Sequence, residues 1–223
     1  MILAVIPARG GSKGIPGKNL VHVCGKPLIA WTIDQAITSM LIDNVIVATD
    51  SNDIADVAED CGAKVFRRSE QSATDAAASE VVLKEVAARM EAELFVFLQC
   101  TSPIRQPHDI DSAIMTLRKS DADSCFSARR VEGFTWRAGP GVISPTYSQR
   151  LPRQQINVKT LEENGSIYVY KPQVIKTTGR LGGKIVPYIM DPLDSFQVDE
   201  PDDIPRIEML MRIRLRECRA SAN

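Results

Sequence analysis

Ile2-Leu3-Ala4-Val5-Ile6-Pro7-Ala8-Arg9-Gly10-Gly11-Ser12-Lys13-Gly14-Ile15-Pro16-Gly17-Lys18-Asn19 is the stretch on which the fold turns. Its first half, Ile2 to Ile6, is a continuous apolar run stopped by Pro7, the pattern of a strand buried on both faces of a parallel sheet. Its second half sets four glycines among Arg9, Lys13 and Lys18. Glycines let backbone N–H groups approach an anion closely and allow positive φ angles. Three cations offset much of the charge of a triphosphate. A loop of this composition directly after a first strand is where an α/β fold holds a phosphate. Two common phosphate motifs are absent, because Gly14 is followed by Ile-Pro-Gly-Lys-Asn and no GxGxxG occurs.

Outward from this loop, strand and helix patterns alternate. Leu28 to Met40 reads as a helix and Val45 to Ala48 as a second strand ended by Thr49 and Asp50. Asp53 to Cys61 reads as a helix, with Asn52 as its cap and Gly62 just past its end. Val65 and Phe66 mark a third strand, Ala76 to Met90 a helix, and Leu94 to Leu98 a fourth strand. Ile110 to Leu117 is helical and Ser124 to Ala128 extended. This alternation predicts an α/β fold, a mostly parallel sheet covered by helices on both faces. Ligands in such sheets sit beyond the carboxyl ends of the strands. Between Val131 and Glu163 the alternation stops amid glycines and prolines, which reads as an insertion within one domain of 1–223. Ser166 to Tyr170, Ile185 to Ile189 and Phe196 to Val198 read as further strands, and Pro205 to Arg219 as a C-terminal helix whose arginines form a solvated face.

Composition bounds the function. The 223 residues include 27 Lys and Arg against 28 Asp and Glu, a formal net charge of −1. No global charge favours nucleic acid or a membrane surface, and neither is expected as a partner. No stretch approaches the roughly 18 apolar residues of a membrane span. The five cysteines are scattered without a CxxC pair, which reads as reduced thiols in a cytoplasmic protein. Two histidines, His22 and His108, are too few for a histidine metal site.

Several segments, in order, make a specific match. Arg9 to Asn19 reads R-x-G-S-K-G-x-P-x-K-N. Thr49-Asp50 ends the second strand, and Arg68 and Ser79 stand eleven residues apart. Gln99-Cys100-Thr101-Ser102-Pro103-Ile104-Arg105, Arg153-Gln154-Gln155 and Glu163-Asn164-Gly165-Ser166-Ile167-Tyr168 follow. Together these resemble the acylneuraminate (CMP-sialic acid) cytidylyltransferases over residues 2 to about 210. The resemblance implies a Rossmann-like nucleotidyltransferase fold of three α/β/α layers. It also implies transfer of CMP from CTP to the anomeric hydroxyl of a nonulosonic acid, with Mg2+ as cofactor and pyrophosphate as product.

The resemblance distributes the roles. Arg9, Lys13 and Lys18 become the catalytic cations. Ala8, Gly10, Ser12 and Asn19 join them around the nucleotide, and Arg68 and Ser79 face the base. Gln99, Thr101, Ser102, Arg105, Arg137, Arg153, Gln154, Asn164 and Tyr168 become acceptor contacts. The metal falls to Asp199 and Gln197, in Gln197-Val198-Asp199-Glu200-Pro201-Asp202-Asp203. The family usually shows D-x-D here, so an amide replaces its first carboxylate; Asp202 and Asp203 read as first-turn helix acids. Cys100 replaces the family's proline and has no nearby histidine to activate it as a nucleophile. Residues 131–163 resemble a dimerisation element, which implies a homodimer. Two readings compete: an enzyme of the same fold using CTP or GTP with a sugar 1-phosphate or an eight-carbon keto acid, and a non-enzymatic nucleotide-binding protein.

Overall fold

A computed structural model describes residues 1–12, 14–69, 79–131, 134–147, 149, 152 and 160–221. Seven strands form the main sheet. In chain order they are β1 (Ile2–Pro7), β4 (Asn44–Thr49), β5 (Lys64–Arg67), β6 (Leu94–Leu98), β7 (Ser124–Val131), β10 (Thr160–Tyr170) and β11 (Ile185–Ile189). Across the sheet they run β11-β7-β10-β6-β1-β4-β5. Every neighbouring pair is parallel except those made by β10, which is antiparallel to both β6 and β7. Two short antiparallel ribbons lie outside the sheet: β2 (His22–Val23) with β3 (Lys26–Pro27), and β8 (Trp136–Gly139) with β9 (Val142–Pro145).

The strand sequences explain the three layers. Along β1, Ile2, Ala4 and Ile6 join one buried cluster while Leu3 and Val5 join the other. The same alternation sends Leu94, Val96 and Leu98 of β6 one way and Phe95 and Phe97 the other, as a period of two requires. One face is covered by α1 (Leu28–Thr38), α2 (Asn52–Asp60) and α4 (Pro107–Arg118), through Ile29, Ile33, Ile54, Ile110 and Ile114. The other is covered by α3 (Ser79–Arg89) and α5 (Pro172–Thr177), through Val82, Leu83, Val86, Val174 and Ile175. A third cluster matters most for the site. Ile15 of the glycine-rich loop packs with Val23, Leu28, Ile104, Val198 and with Ile207, Leu210 and Met211 of α6 (Asp203–Ser221). It fixes the loop to the C-terminal segment.

Three local expectations are corrected. The cap of α2 is Ser51, whose Oγ accepts the Ile54 N–H at 3.4 Å; Asn52 is the first helical residue. Phe196 to Val198 is not a sheet strand. It follows a 3-10 turn over Pro192–Ser195 and is held by the Val198 N–H on the Thr101 carbonyl at 2.8 Å. The strand expected from Ser166 begins at Thr160, because Thr160 to Glu163 pair with Val131 to Ala128 of β7. Among the described residues no helix is long and apolar enough to cross a membrane.

Candidate functional site

The parallel strands β1, β4, β5 and β6 all point their carboxyl ends at one edge, and there the glycine-rich loop, Asp50, Arg68 and Gln99 emerge. The loop is tied down at several places. The Ala8 N–H bonds the Ala48 carbonyl at 2.9 Å and the Gly10 N–H bonds Asp50 Oδ1 at 2.9 Å. Asn19 Nδ2 donates to the Arg9 carbonyl at 3.0 Å, closing the loop on itself. A Cβ on Gly10 would lie 3.1 Å from the Ser51 Cβ, and one on Gly14 would lie 2.8 Å from the Asp199 carbonyl oxygen. Glycine at these two positions is what allows close approach. Asp50 was noted in sequence only as the residue after a strand; the signal for its role was its position at the carboxyl end of the strand beside β1.

Two cations meet beside this loop. Arg68 is half-buried, its backbone N–H bonded to the Thr49 carbonyl at 3.2 Å. Burial pushes its guanidinium below the usual arginine range, opposed by Asp50, and the neighbouring positive charge of Arg9 adds to the depression. The Arg68 Nε–H is buried and has no hydrogen-bond partner among the described residues. A pair of guanidinium groups in mutual repulsion favours an anion between them. Ser79 opens α3 and is half-buried. Lys18 stands on the other side of the loop. Its Nζ donates to the Val198 carbonyl at 3.0 Å and to Asp199 Oδ1 at 3.2 Å. Asp199 itself is 65% exposed in its side chain. Asp203 accepts the N–H groups of Asp199 and Glu200, each at 2.9 Å, and these two bonds hold its carboxyl below the usual range.

On the β6–β10 side lies a wide bulge. Glu163 pairs with Ala128 and Tyr168 with Phe126, so residues 164–167 oppose Ser127 alone. Backbone groups in such a bulge lose their ladder partners and must find others. Ser127 Oγ accepts the Ile167 N–H at 2.8 Å, and Asn164 Oδ1 accepts the Ser166 N–H at 3.3 Å. The Ser166 carbonyl takes Arg105 Nη1 at 2.8 Å and the Gln99 N–H at 3.3 Å. Gln197 Nε2 donates to the Asn164 carbonyl, and Gln197 Oε1 accepts from Thr101 Oγ1 at 3.2 Å.

Several side chains matched as acceptor contacts lie beneath the surface. Arg105 and Ser102 are wholly buried, and Asn164 and Tyr168 nearly so. Asn164 spends its amide on Ser127, Ser195 and Met190. Tyr168 stacks on Phe97, with centroids 5.5 Å apart, under the Arg180 guanidinium, and its hydroxyl donates to Glu163. Burial pushes the Arg105 guanidinium down to about 10, partly offset by Cys100 and Asp109. Arg105 and Asn164 spend hydrogen bonds on the bulge, while Tyr168 packs in the strand beside it. Gln99 and Thr101 remain half-buried at its rim, and Arg137 lies exposed on β8. Of the two expected metal ligands, Gln197 Oε1 accepts from Thr101 Oγ1 and Asp199 Oδ1 from Lys18 Nζ. Lys13, Arg153 and Gln154 lie outside the described residues.

The group that would hold a divalent cation here is the exposed Asp199 carboxylate, one oxygen of which takes Lys18 Nζ. Among the described residues no group of three or more His, Cys, Asp and Glu comes together. One exposed carboxylate suits Mg2+, which keeps waters and takes phosphate oxygens as its other ligands.

The chain has relatives in both sequence and structure. The cytidylyltransferase family model matches residues 3–168. N-acylneuraminate cytidylyltransferase A of Danio rerio is 37% identical over 214 residues, covering 93% of this chain and 50% of that protein. The chain thus spans about half the length of that relative. CMP-N,N'-diacetyllegionaminic acid synthase of Legionella pneumophila subsp. pneumophila is 34% identical over 225 residues, covering 95% of this chain and 97% of that protein. In structure, CMP:2-keto-3-deoxy-manno-octonic acid synthetase complexed with CTP superposes with a TM-score of 0.73. It is 20% identical and covers 96% of this chain and 99% of that one, a likeness of fold. The α/β/α sheet, the loop after β1 and the matched residues converge: this chain belongs to the cytidylyltransferase family.

Proposed function

We propose that the chain is a Mg2+-dependent cytidylyltransferase that transfers CMP from CTP to the anomeric hydroxyl of a nonulosonic acid. A bond forms between the anomeric oxygen and the α-phosphorus. The bond from that phosphorus to the β-phosphate bridging oxygen breaks, pyrophosphate leaves, and the hydroxyl proton passes to solvent. Such a transfer needs positioning and charge neutralisation more than a strong base. The observation that carries the reading is the Lys18 bridge, which brings a cation of the phosphate loop onto the Val198–Asp199 segment beside the β10 bulge. Arg9, Arg68 and Lys18 then face the triphosphate, and Gln99 and Thr101 face the acceptor. Asp199 would hold Mg2+, which when bound neutralises phosphate charge.

The β8–β9 ribbon supports a homodimer. Trp136 and Ile143 are 55% and 71% exposed on it, and Tyr147 packs on Trp136 and Phe134. A two-fold partner would cover that apolar surface.

The test is pyrophosphate release with Mg2+, CTP or GTP being paired in turn with N-acetylneuraminic acid, N,N'-diacetyllegionaminic acid, an eight-carbon keto acid and a sugar 1-phosphate. Release with CTP and a nine-carbon acid is expected. Release only with the eight-carbon acid or the sugar 1-phosphate, or none with any pair, overturns the assignment.

A further inference from the structure

Along the 197–199 segment Gln197 is half-buried, Val198 buried and Asp199 exposed. Val198 is 1% exposed and packs into the cluster with Ile15 and Ile207. Gln197 and Asp199 stay outside that cluster. Their partners differ. Asp199 meets Lys18, whereas Gln197 meets the backbone of the β10 bulge.

The Asn164 carbonyl has left the β-ladder, and a buried carbonyl without a donor is costly. Gln197 Nε2 supplies that donor. A carboxylate has none to give, and would set negative charge against the carbonyl oxygen. Gln197 also lies flat on Gly165, whose φ is +67°. A Cβ there would stand 2.5 Å from Gln197 Nε2 and 3.1 Å from Gln99 Oε1. Thr101 Oγ1 completes the cluster, 3.2 Å from Gln197 Oε1 and 3.4 Å from Gln99 Oε1. Its single hydroxyl proton serves one of the two amide oxygens at a time, so Gln197 decides whether Thr101 donates to Gln99.

We propose that Gln197 is a positioning residue for the acceptor side of the site: its amide ties the metal-bearing segment to the Asn164–Ser166 bulge and orients Gln99, leaving Asp199 as the carboxylate this segment offers a divalent cation. In this chain the amide at position 197 supplies the donor that the Asn164 carbonyl takes, and a carboxylate there would leave that carbonyl without it. This rests on the proposed reaction for its kinetic consequence and on the hydrogen bonds alone for its structural one.

The experiment compares the unsubstituted chain with Gln197→Glu, Gln197→Asp, Thr101→Val and the Gln197→Glu/Thr101→Val double variant. Kinetics with CTP and the nonulosonic acid accepted in the pyrophosphate assay give KM for each substrate. Electron paramagnetic resonance counts Mn2+ bound in the presence of CTP, and thermal unfolding gives the stability cycle. Gln197→Glu should raise the acceptor KM about tenfold, as expected for a lost buried donor, with the KM for CTP within about twofold. Thr101→Val should shift it the same way by less. Mn2+ bound per chain should be unchanged in Gln197→Asp and Gln197→Glu, and the two melting-temperature losses should be non-additive. An added Mn2+ or a rise in turnover in Gln197→Asp would overturn the proposal, as would an unchanged acceptor KM in Gln197→Glu. If no acceptor is turned over by the unsubstituted chain, the proposed reaction fails, and the stability cycle still decides the strut: additive losses overturn it and coupled losses uphold it.

Discussion

Lys18 and Asp199, 181 positions apart, form an ion pair of 3.2 Å in which the lysine side chain is 13% exposed and the aspartate 65%. The pair joins the glycine-rich loop to the 198–199 segment, the one that would hold a metal in the proposed reaction. Its own contribution to stability is small, since half of it stands in water. Its value lies in placing a positive charge where pyrophosphate charge would develop.

Lys18→Ala should therefore act on turnover far more than on folding. Loss of one well-placed donor to developing negative charge costs about a hundredfold to a thousandfold in kcat. Steady-state pyrophosphate release, with circular dichroism to check the fold, measures it. A Lys18→Ala chain that folds and turns over normally would remove Lys18 from the phosphate assignment. Lys18→Arg should recover only part of the loss, because the planar guanidinium cannot occupy the place of a compact ammonium against both Val198 and Asp199.

Asp203 gives a prediction with a pH sign. Its carboxylate accepts the N–H groups of Glu200 and Asp199, and those bonds depress its pKa in the folded chain. A carboxylate depressed on folding stabilises above its unfolded pKa, and that contribution is lost as pH falls toward the folded value. Asp203→Ala should cost about 1 kcal/mol at pH 7, the usual worth of a cap-like acceptor at a helix start. The gap from the unsubstituted chain should narrow at pH 3. Urea unfolding at both pH values measures it; a gap that is constant or widens in acid would contradict the assignment. The same variant frees the Asp199 backbone, so the Mg2+ concentration for half-maximal activity should rise.

Sheet layers were legible because buried strands write themselves as apolar runs. Ile2 to Ile6 and Leu94 to Leu98 each end where β1 and β6 end, within a residue. The place of the loop after β1 was legible because its glycines begin directly where the apolar run ends. The bulge in β10 was not. Glu163 to Tyr168 reads locally as a turn and a strand, and nothing in that stretch says that four residues will face Ser127. Burial of Arg105 was illegible for the same reason. Its partner Ser166 is 61 positions away, and an arginine after Pro103 looks like a surface residue until the fold closes over it. The difference between a ligand contact and a support beneath one is a matter of a few ångströms of depth, which motif order does not encode.

Cys100 lies between Gln99 and Thr101 at the rim of the site, and its chemistry can be read from its surroundings. It is 4% exposed, and burial pushes its thiol up to about 12, with Arg105 opposing. Cys125, on β7, is fully buried and likewise pushed up to about 12. At pH 8 a thiol with a pKa of about 12 is thiolate in only about one molecule in ten thousand, and the thiolate is the reactive form. Iodoacetamide applied to the folded chain should leave Cys100 and Cys125 unmodified, while the half-buried Cys24 and Cys61 are reached first. Raising the pH from 7 to 9 should not change that order, because both buried groups titrate well above it; unfolding in urea should expose all of them. Peptide mass spectrometry after timed labelling measures each site. Rapid native labelling of Cys100 with loss of turnover would mean that the 99–101 segment opens to solvent, and that the Gln99–Thr101 rim is set by motion instead of by the bulge beneath it.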